Sequence, residues 1–262
     1  MSVDISQLML GPRLKVERAR RHLDELIRRS SPLDRALYDI IVVKISDANR
    51  DDRASQYDLV YYPRQRIPET FALIIGDVVH NLRAALDHLA NGIITAWHPR
   101  PPDRPFFPMA SKREHLVAHK FLPSIETALP GARDLLLHKI RPANGSNESL
   151  WAFHAVDNDD KHNLILPTVT ITSINNINAR IGTKGAGVAD CGVSGEAMRP
   201  MVILTAFEQI TIQQGFDTAV HLAFGEGSPF DYQPVVPTLL QIAGVVTETL
   251  DAFEHHIQET KL

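Results

Sequence analysis

The sequence predicts an α+β protein, in which a helical bundle packs with a largely antiparallel β-sheet. Two long segments carry apolar residues at helical spacing, one in the first half of the chain and one at its end. Short runs rich in β-branched residues occupy most of the stretch from about 165 to 225. Two further β-like runs, Leu37–Ile45 and Tyr57–Tyr62, are joined by a polar segment and predict a hairpin.

The first half of the chain is predicted to be mainly helical. Residues 12–30 form an expected helix, with a basic face opposite a stripe of apolar residues: Leu14, Ala19, Leu23, Leu26 and Ile27. The clearest helix runs over about Glu69–Trp97, and the proline-rich stretch His98–Pro108 ends it as an extended connection. Shorter helices are expected at 111–121, 123–138 and about 147–162.

Beyond Leu164 the pattern predicts strands and then a closing helix at about Pro234–Gln258. The expected strands are Val169–Thr172, Asn178–Ile181, Met201–Ala206, Ile210–Gln213 and Ala219–Phe224. The glycine-rich stretch 182–187 lacks the spacing of a phosphate-binding loop and predicts a loop or a hairpin turn. We therefore expect a single α+β domain over 1–262, with a bundle core at about 66–165 plus 234–258 and a strand-rich part at about 165–225.

Bulk properties exclude several classes of protein. The chain has 262 residues, 44% of them hydrophobic, and a net charge of -4, which argues against wholesale electrostatic binding to nucleic acid. Its single cysteine, Cys191, allows no internal disulfide. The first residues lack a secretory signal pattern, and no apolar window has the length of a membrane span. We expect a cytoplasmic protein that does not enter a membrane.

The most informative residues form a paired polar network on two predicted helices. The residues on the first helix are Asp77, His80, Asn81, Arg83, Asp87 and His88. The residues on the second are His154, Asn158, Lys161 and His162. Short side chains that hydrogen-bond directionally differ from an ordinary Lys- and Glu-rich solvated face. We expect the two helices to face each other, so that carboxylates, imidazoles and amides satisfy one another.

The two blocks resemble a group of uncharacterised bacterial proteins. Gly76–His88 has the form GDxxHNLRxALDH, and Leu150–His162 has the form LWxxHxxxNxDKH. Arg83 and His88 are also spaced R-x4-H, which is similar to the motif of HEPN-domain ribonucleases. That second resemblance implies a helical, metal-independent ribonuclease that needs no cofactor and builds its site across a homodimer.

In the ribonuclease interpretation, His88 acts as general acid or base and Arg83 stabilises charge on the phosphate, with Asp87, His80 and Asn81 beside them. Arg83 and His88 lie about 140° apart on a regular helix, so they need a dimer or a kink to converge. Ala84 occupies a position that is often polar in that motif.

Three other interpretations remain open. The network is a hydrogen-bond system that fixes helix register, the commonest use of such residues. Alternatively, it binds a transition metal, with candidate ligands His80, Asp87, His154 and His162. In the third, the chain is a non-catalytic binding protein whose sheet recognises a partner. The sequence contains no HExxH or paired CxxC motif that would favour the metal.

Overall fold

The computed structural model describes residues 3–30, 38–46, 55–64, 67–160, 167–175, 179–182, 200–212 and 217–261. It has the α+β fold expected from the sequence. The helices are α1 (Ile5–Ser30), α2 (Thr70–Trp97), α3 (Arg113–Val117), α4 (Leu122–Ala128), α5 (Ala132–Asp134), a π-helical turn (Leu135–Ile140), α6 (Glu148–Asp160) and α7 (Val235–Lys261). The strands are β1 (Tyr38–Ser46), β2 (Gln56–Pro63), β3 (Pro167–Asn175), β4 (Ala179–Ile181), β5 (Met201–Ala206), β6 (Ile210–Ile212) and β7 (Asp217–Phe224).

The sheets are antiparallel, as predicted, but the described strands form three small sheets instead of one. The predicted hairpin is present, since β1 pairs with β2, and β5 then adds to the other edge of β2. Strand β3 pairs with β7, and β4 pairs with β6. The glycine-rich stretch that follows β4 lies outside the described residues after Gly182, as does Cys191.

The main core lies between the long helices. Helix α2 packs along α1 and also contacts α4, α6 and α7, and its apolar stripe is fully buried around Leu82, Leu86 and Leu89. A second, smaller core lies in the hairpin sheet, where Tyr61 stacks on Tyr38 with ring centroids 5.3 Å apart. Ile67, just before α2, packs against both cores. The candidate residues therefore lie in the helical part of the molecule.

Helix α1 begins earlier than predicted and buries Ala19, Leu23 and Leu26 as predicted, but not the other two residues of the predicted stripe. It starts at Ile5 and continues through Pro12, which the sequence analysis treated as a boundary. The buried residues are Met9, Pro12, Val16, Ala19, Leu23 and Leu26. Leu14 and Ile27, which we expected in the core, are 53% and 39% exposed. The prediction was wrong because the Gly11-Pro12 pair resembles a helix start, although α1 extends seven residues before Pro12.

The segment between α2 and α6 is less regular than predicted. The helices expected at 111–121 and 123–138 are replaced by three short helices and the π-helical turn. Gly131 starts the third of these with φ of +84°, and Arg141 ends the π-helical turn at φ of +55°. The strap Pro105–Pro108, which is the end of the proline-rich connection, is buried except at the partly exposed Phe106. This strap passes beside α2 and contributes to the site.

Helix α7 is the one helix of the described chain that is long and apolar enough, by length and composition, to cross a membrane. A core helix of a folded protein meets the same criterion, and 44% of its apolar window is buried. Here α7 packs against α1, α2 and α6. Its most buried side chains include Leu239, Val246 and Phe253.

Candidate functional site

The polar residues of α2 do not form one network with α6. They divide between two sides of the helix. Asn81 and His88 lie on the side of α1, whereas Arg83 and Asp87 lie against the strap Pro105–Pro108. His80 is the residue that meets α6, at Asp157. The expectation that the two helices turn their polar sides toward each other was therefore wrong for most of these residues.

Arg83 and Asp87 form a clamp around the backbone of Phe107. Arg83 Nη2 lies 2.8 Å from Asp87 Oδ1 and donates to the Phe107 carbonyl at 3.1 Å, while Arg83 Nε donates to Asp87 Oδ2 at 3.2 Å. The Phe107 N–H donates to Asp87 Oδ1 at 2.9 Å. Both polar groups of one residue are thus satisfied by two side chains one helical turn apart, as buried backbone groups require.

Through Phe107, the clamp connects α2 to α7. The Phe107 ring is fully buried and contacts Phe253 of α7 edge-to-face, with ring centroids 5.9 Å apart. Arg83 itself is 5% exposed. Its Nη1 atom is buried and makes no hydrogen bond to any described residue. The guanidinium is therefore largely closed to solvent.

The structure does not bring His88 to Arg83. His88 is exposed on the side of α2 that faces α1, where a Cβ added at Gly11 would lie 3.2 Å from its Nδ1. The absence of a side chain at Gly11 therefore lets α1 approach this imidazole closely. Helix α2 is continuous through both positions, so the pair diverges within one chain, as helical geometry predicted.

Asn81 also belongs to the contact between α1 and α2. Its amide nitrogen donates to the Asp77 carbonyl at 2.8 Å, and its oxygen accepts from Lys15 Nζ at 3.3 Å. Asn81 is 8% exposed, whereas Asp77, one turn earlier on α2, is exposed. The sequence predicted that the polar side of α2 would meet α6. The contact of Asn81 with α1 was not predicted.

His80 and Asp157 approach each other across the two predicted polar blocks. The side chain of His80 is 62% exposed, that of Asp157 is 2% exposed, and Nδ1 lies 4.0 Å from Oδ1. This separation is long for a hydrogen bond but short enough for an ion pair when the imidazole is protonated. Asp157 is thus a buried acidic residue of α6 that was not among the predicted members of the network.

Of the remaining predicted residues of the second block, the structure describes His154 and Asn158. His154 is half-buried and its Nε2 lies 3.3 Å from the side-chain nitrogen of Asn158, which is exposed and not directed inward as predicted. The buried face is instead led by Leu150, Phe153 and Val156. Lys161 and His162, the other two predicted members, lie outside the described residues.

His119 is a neighbour of Arg83 that was not among the predicted site residues. Its ring packs edge-on against Phe106 and tilted against Phe121, with centroids 5.3 and 6.0 Å away. Burial lowers the pKa of His119, and the charges of Arg83 and Lys120 lower it further. Lys120 lies over the Phe121 ring at 4.7 Å. No periodic signal in the sequence marks this cluster, because it is built by an irregular segment.

The metal interpretation has no assembled site among the residues that the structure describes, where no group of three or more potential ligands lies together. Of the candidates, Asp87 binds Arg83 and the Phe107 N–H, while His80 faces Asp157. His154 lies on α6 beside Asn158, and His162 is not described.

No protein-family model matches the chain, and no curated protein or solved structure is significantly similar to it.

Proposed function

We propose that the chain is a non-catalytic binding protein, in which the polar residues of α2 hold the bundle in register. The observation that carries the structural, non-catalytic role of these residues is the clamp, where Arg83, at 5% exposure, binds Asp87 and the Phe107 carbonyl. A buried charge that is paired and hydrogen-bonded in this way is costly to disturb. In this proposal the R-x4-H spacing reflects the packing of α2 and does not identify a catalytic pair.

The clamp residues are therefore expected to determine stability, with no effect on RNA. The test compares wild-type protein with Arg83→Ala and His88→Ala, in thermal unfolding and in incubation with a mixed RNA substrate. We expect Arg83→Ala to lower the melting temperature strongly, His88→Ala to change it little, and the RNA to remain intact throughout. RNA cleavage by the wild type that both variants abolish while remaining folded would overturn the proposal.

A second candidate function, a metal-independent ribonuclease, is favoured by the His80–Asp157 pair. An accessible imidazole with a buried carboxylate 4.0 Å away suits general acid–base catalysis, because the ring reaches solvent while one of its nitrogens faces an acceptor. RNA as the substrate comes only from the resemblance of the R-x4-H spacing, as does a homodimer. If the R-x4-H residues themselves form the site, a second copy has to bring its own Arg83 to His88.

The two versions of the ribonuclease differ in which histidine matters. If His80 acts, His80→Ala and Asp157→Asn remove RNA cleavage, while His88→Ala retains it. If the motif pair acts across a dimer, His88→Ala removes cleavage, and mixing inactive His88→Ala with inactive Arg83→Lys restores part of it. Absence of cleavage by wild-type protein at any concentration eliminates both versions and leaves the binding protein.

A further inference from the structure

A cleft between α6, α7 and the turn that follows β7 lies apart from the polar residues of α2. It encloses about 420 Å³, within the range of small-ligand sites. Its polar and aromatic lining includes Asn144, Glu148, Ser149, Trp151, Gln233 and Gln241. Gln241 Nε2 donates to Ser149 Oγ at 3.2 Å, which joins the two helical walls across the cleft.

The charge of the lining excludes an anionic ligand. Glu148 is the one charged residue among the described residues that line the cleft, and no lysine, arginine or histidine accompanies it. A phosphate or carboxylate would lose its hydration here without gaining a cation, and Glu148 would repel it. The cleft is therefore suited to a ligand without negative charge.

The hydrogen-bonding groups point to a ligand rich in hydroxyls. Side-chain amides and a serine hydroxyl each donate and accept, and a carboxylate accepts from two neighbouring donors. A sugar hydroxyl also donates and accepts, so it matches such a set better than a primary ammonium group, which only donates, or a quaternary ammonium group, which does neither. Trp151 and the buried Phe230 supply apolar surface for the C–H face of a sugar ring.

We propose that this cleft binds a neutral saccharide of one or two rings. The inference rests on the proposed function, since it names the class of ligand that the binding protein takes. The proposed function and the saccharide inference can fail independently. The cleft variants leave the clamp of α2 intact, and the clamp variants leave the residues that line the cleft unchanged.

The experiment measures the binding of maltose, cellobiose and N,N′-diacetylchitobiose to the full chain by calorimetry, with choline and AMP as contrasting probes. The chain has two tryptophans, so Trp97→Phe leaves Trp151 as the single fluorescent reporter at the cleft. We expect at least one saccharide to bind with a change in Trp151 emission, and choline and AMP not to bind.

Variants locate the binding. Trp151→Ala and Gln241→Ala are each expected to weaken saccharide binding about tenfold, through loss of the aromatic contact or of a hydrogen bond. Gln258→Ala, an exposed glutamine on the same helix as Gln241, is the matched control and should bind as the wild type does. Because Gln241 is exposed, its variant also covers the case in which Trp151→Ala fails to fold. Failure of all three saccharides to bind, preference for choline or AMP, or equal binding by Gln241→Ala would overturn the proposal.

Discussion

Arg83 and Asp87, one turn apart on α2, bind the backbone carbonyl and N–H of one residue, Phe107. The guanidinium donates to the Phe107 carbonyl at 3.1 Å, and the carboxylate accepts from the Phe107 N–H at 2.9 Å. The two side chains also bind each other, with Nη2 and Oδ1 2.8 Å apart. The residues that most resemble a ribonuclease motif thus fix a strap to the bundle.

Removal of Arg83 should destabilise the fold. Arg83→Ala leaves the Asp87 charge and the Phe107 carbonyl without their partner, and we expect a loss of about 3 kcal/mol in the free energy of unfolding. Chemical denaturation measures it. Arg21→Ala is the matched control, because Arg21 also pairs with a carboxylate one turn away but is 68% exposed. Its cost should stay below about 1 kcal/mol, and equal costs for the two variants would contradict the account.

His119 should make the fold sensitive to mild acid. Its pKa is lowered in the folded state by burial and by the charges of Arg83 and Lys120, so the unfolded chain binds the proton more readily. The stability that neutral His119 contributes is therefore present above about pH 6.5, the ordinary pKa of histidine, and is lost as the pH falls toward its lower folded pKa.

Melting temperatures at several pH values between neutral and mildly acidic conditions test this. We expect His119→Gln to flatten the acid side of the profile. His138→Gln, at a histidine whose side chain is 65% exposed, should leave the slope of the wild type unchanged. A His119→Gln profile parallel to that of the wild type would show that this imidazole does not sense pH.

Tyr61 should limit stability at high pH. Burial, with a contribution from Tyr38, raises the pKa of Tyr61 to about 12. The folded protein keeps the phenol proton in a range where the unfolded chain has already lost it, so stability is full below about pH 10 and falls as the pH rises toward the folded value. Tyr61→Phe should reduce this loss of stability at alkaline pH, which circular dichroism measures. Tyr62→Phe, at the neighbouring tyrosine that is 48% exposed, should not reduce it.

Periodicity in the sequence was sufficient for the regular helices. The apolar stripe around Leu82 predicted α2 to within a residue of its observed start, Thr70, and the stripe of α7 was equally clear. The start of α1 was missed because Pro12 removes one helical hydrogen bond, a local cost that burial of the neighbouring residues offsets. Tertiary packing, which local pattern does not contain, decided that boundary.

The candidate site was predicted less well, for a physical reason. Helical angles correctly separated Arg83 from His88, but they do not say which element lies opposite each side. The side of Asn81 and His88 meets α1, and the partner of Arg83 and Asp87 is the backbone of Phe107. A backbone partner in the strap has no side-chain signature, so the sequence analysis placed α6 there instead.

A double-mutant cycle on Arg83 and Asp87 tests the central claim most directly. Arg83→Met keeps the apolar stem of the arginine, Asp87→Leu removes the carboxylate, and chemical denaturation of the wild type, both single variants and the double variant gives the coupling between them. The account predicts a coupling of about 2 kcal/mol, since either single change strands the other group beside the strap. Purely additive losses would contradict it, because the two residues would then act independently.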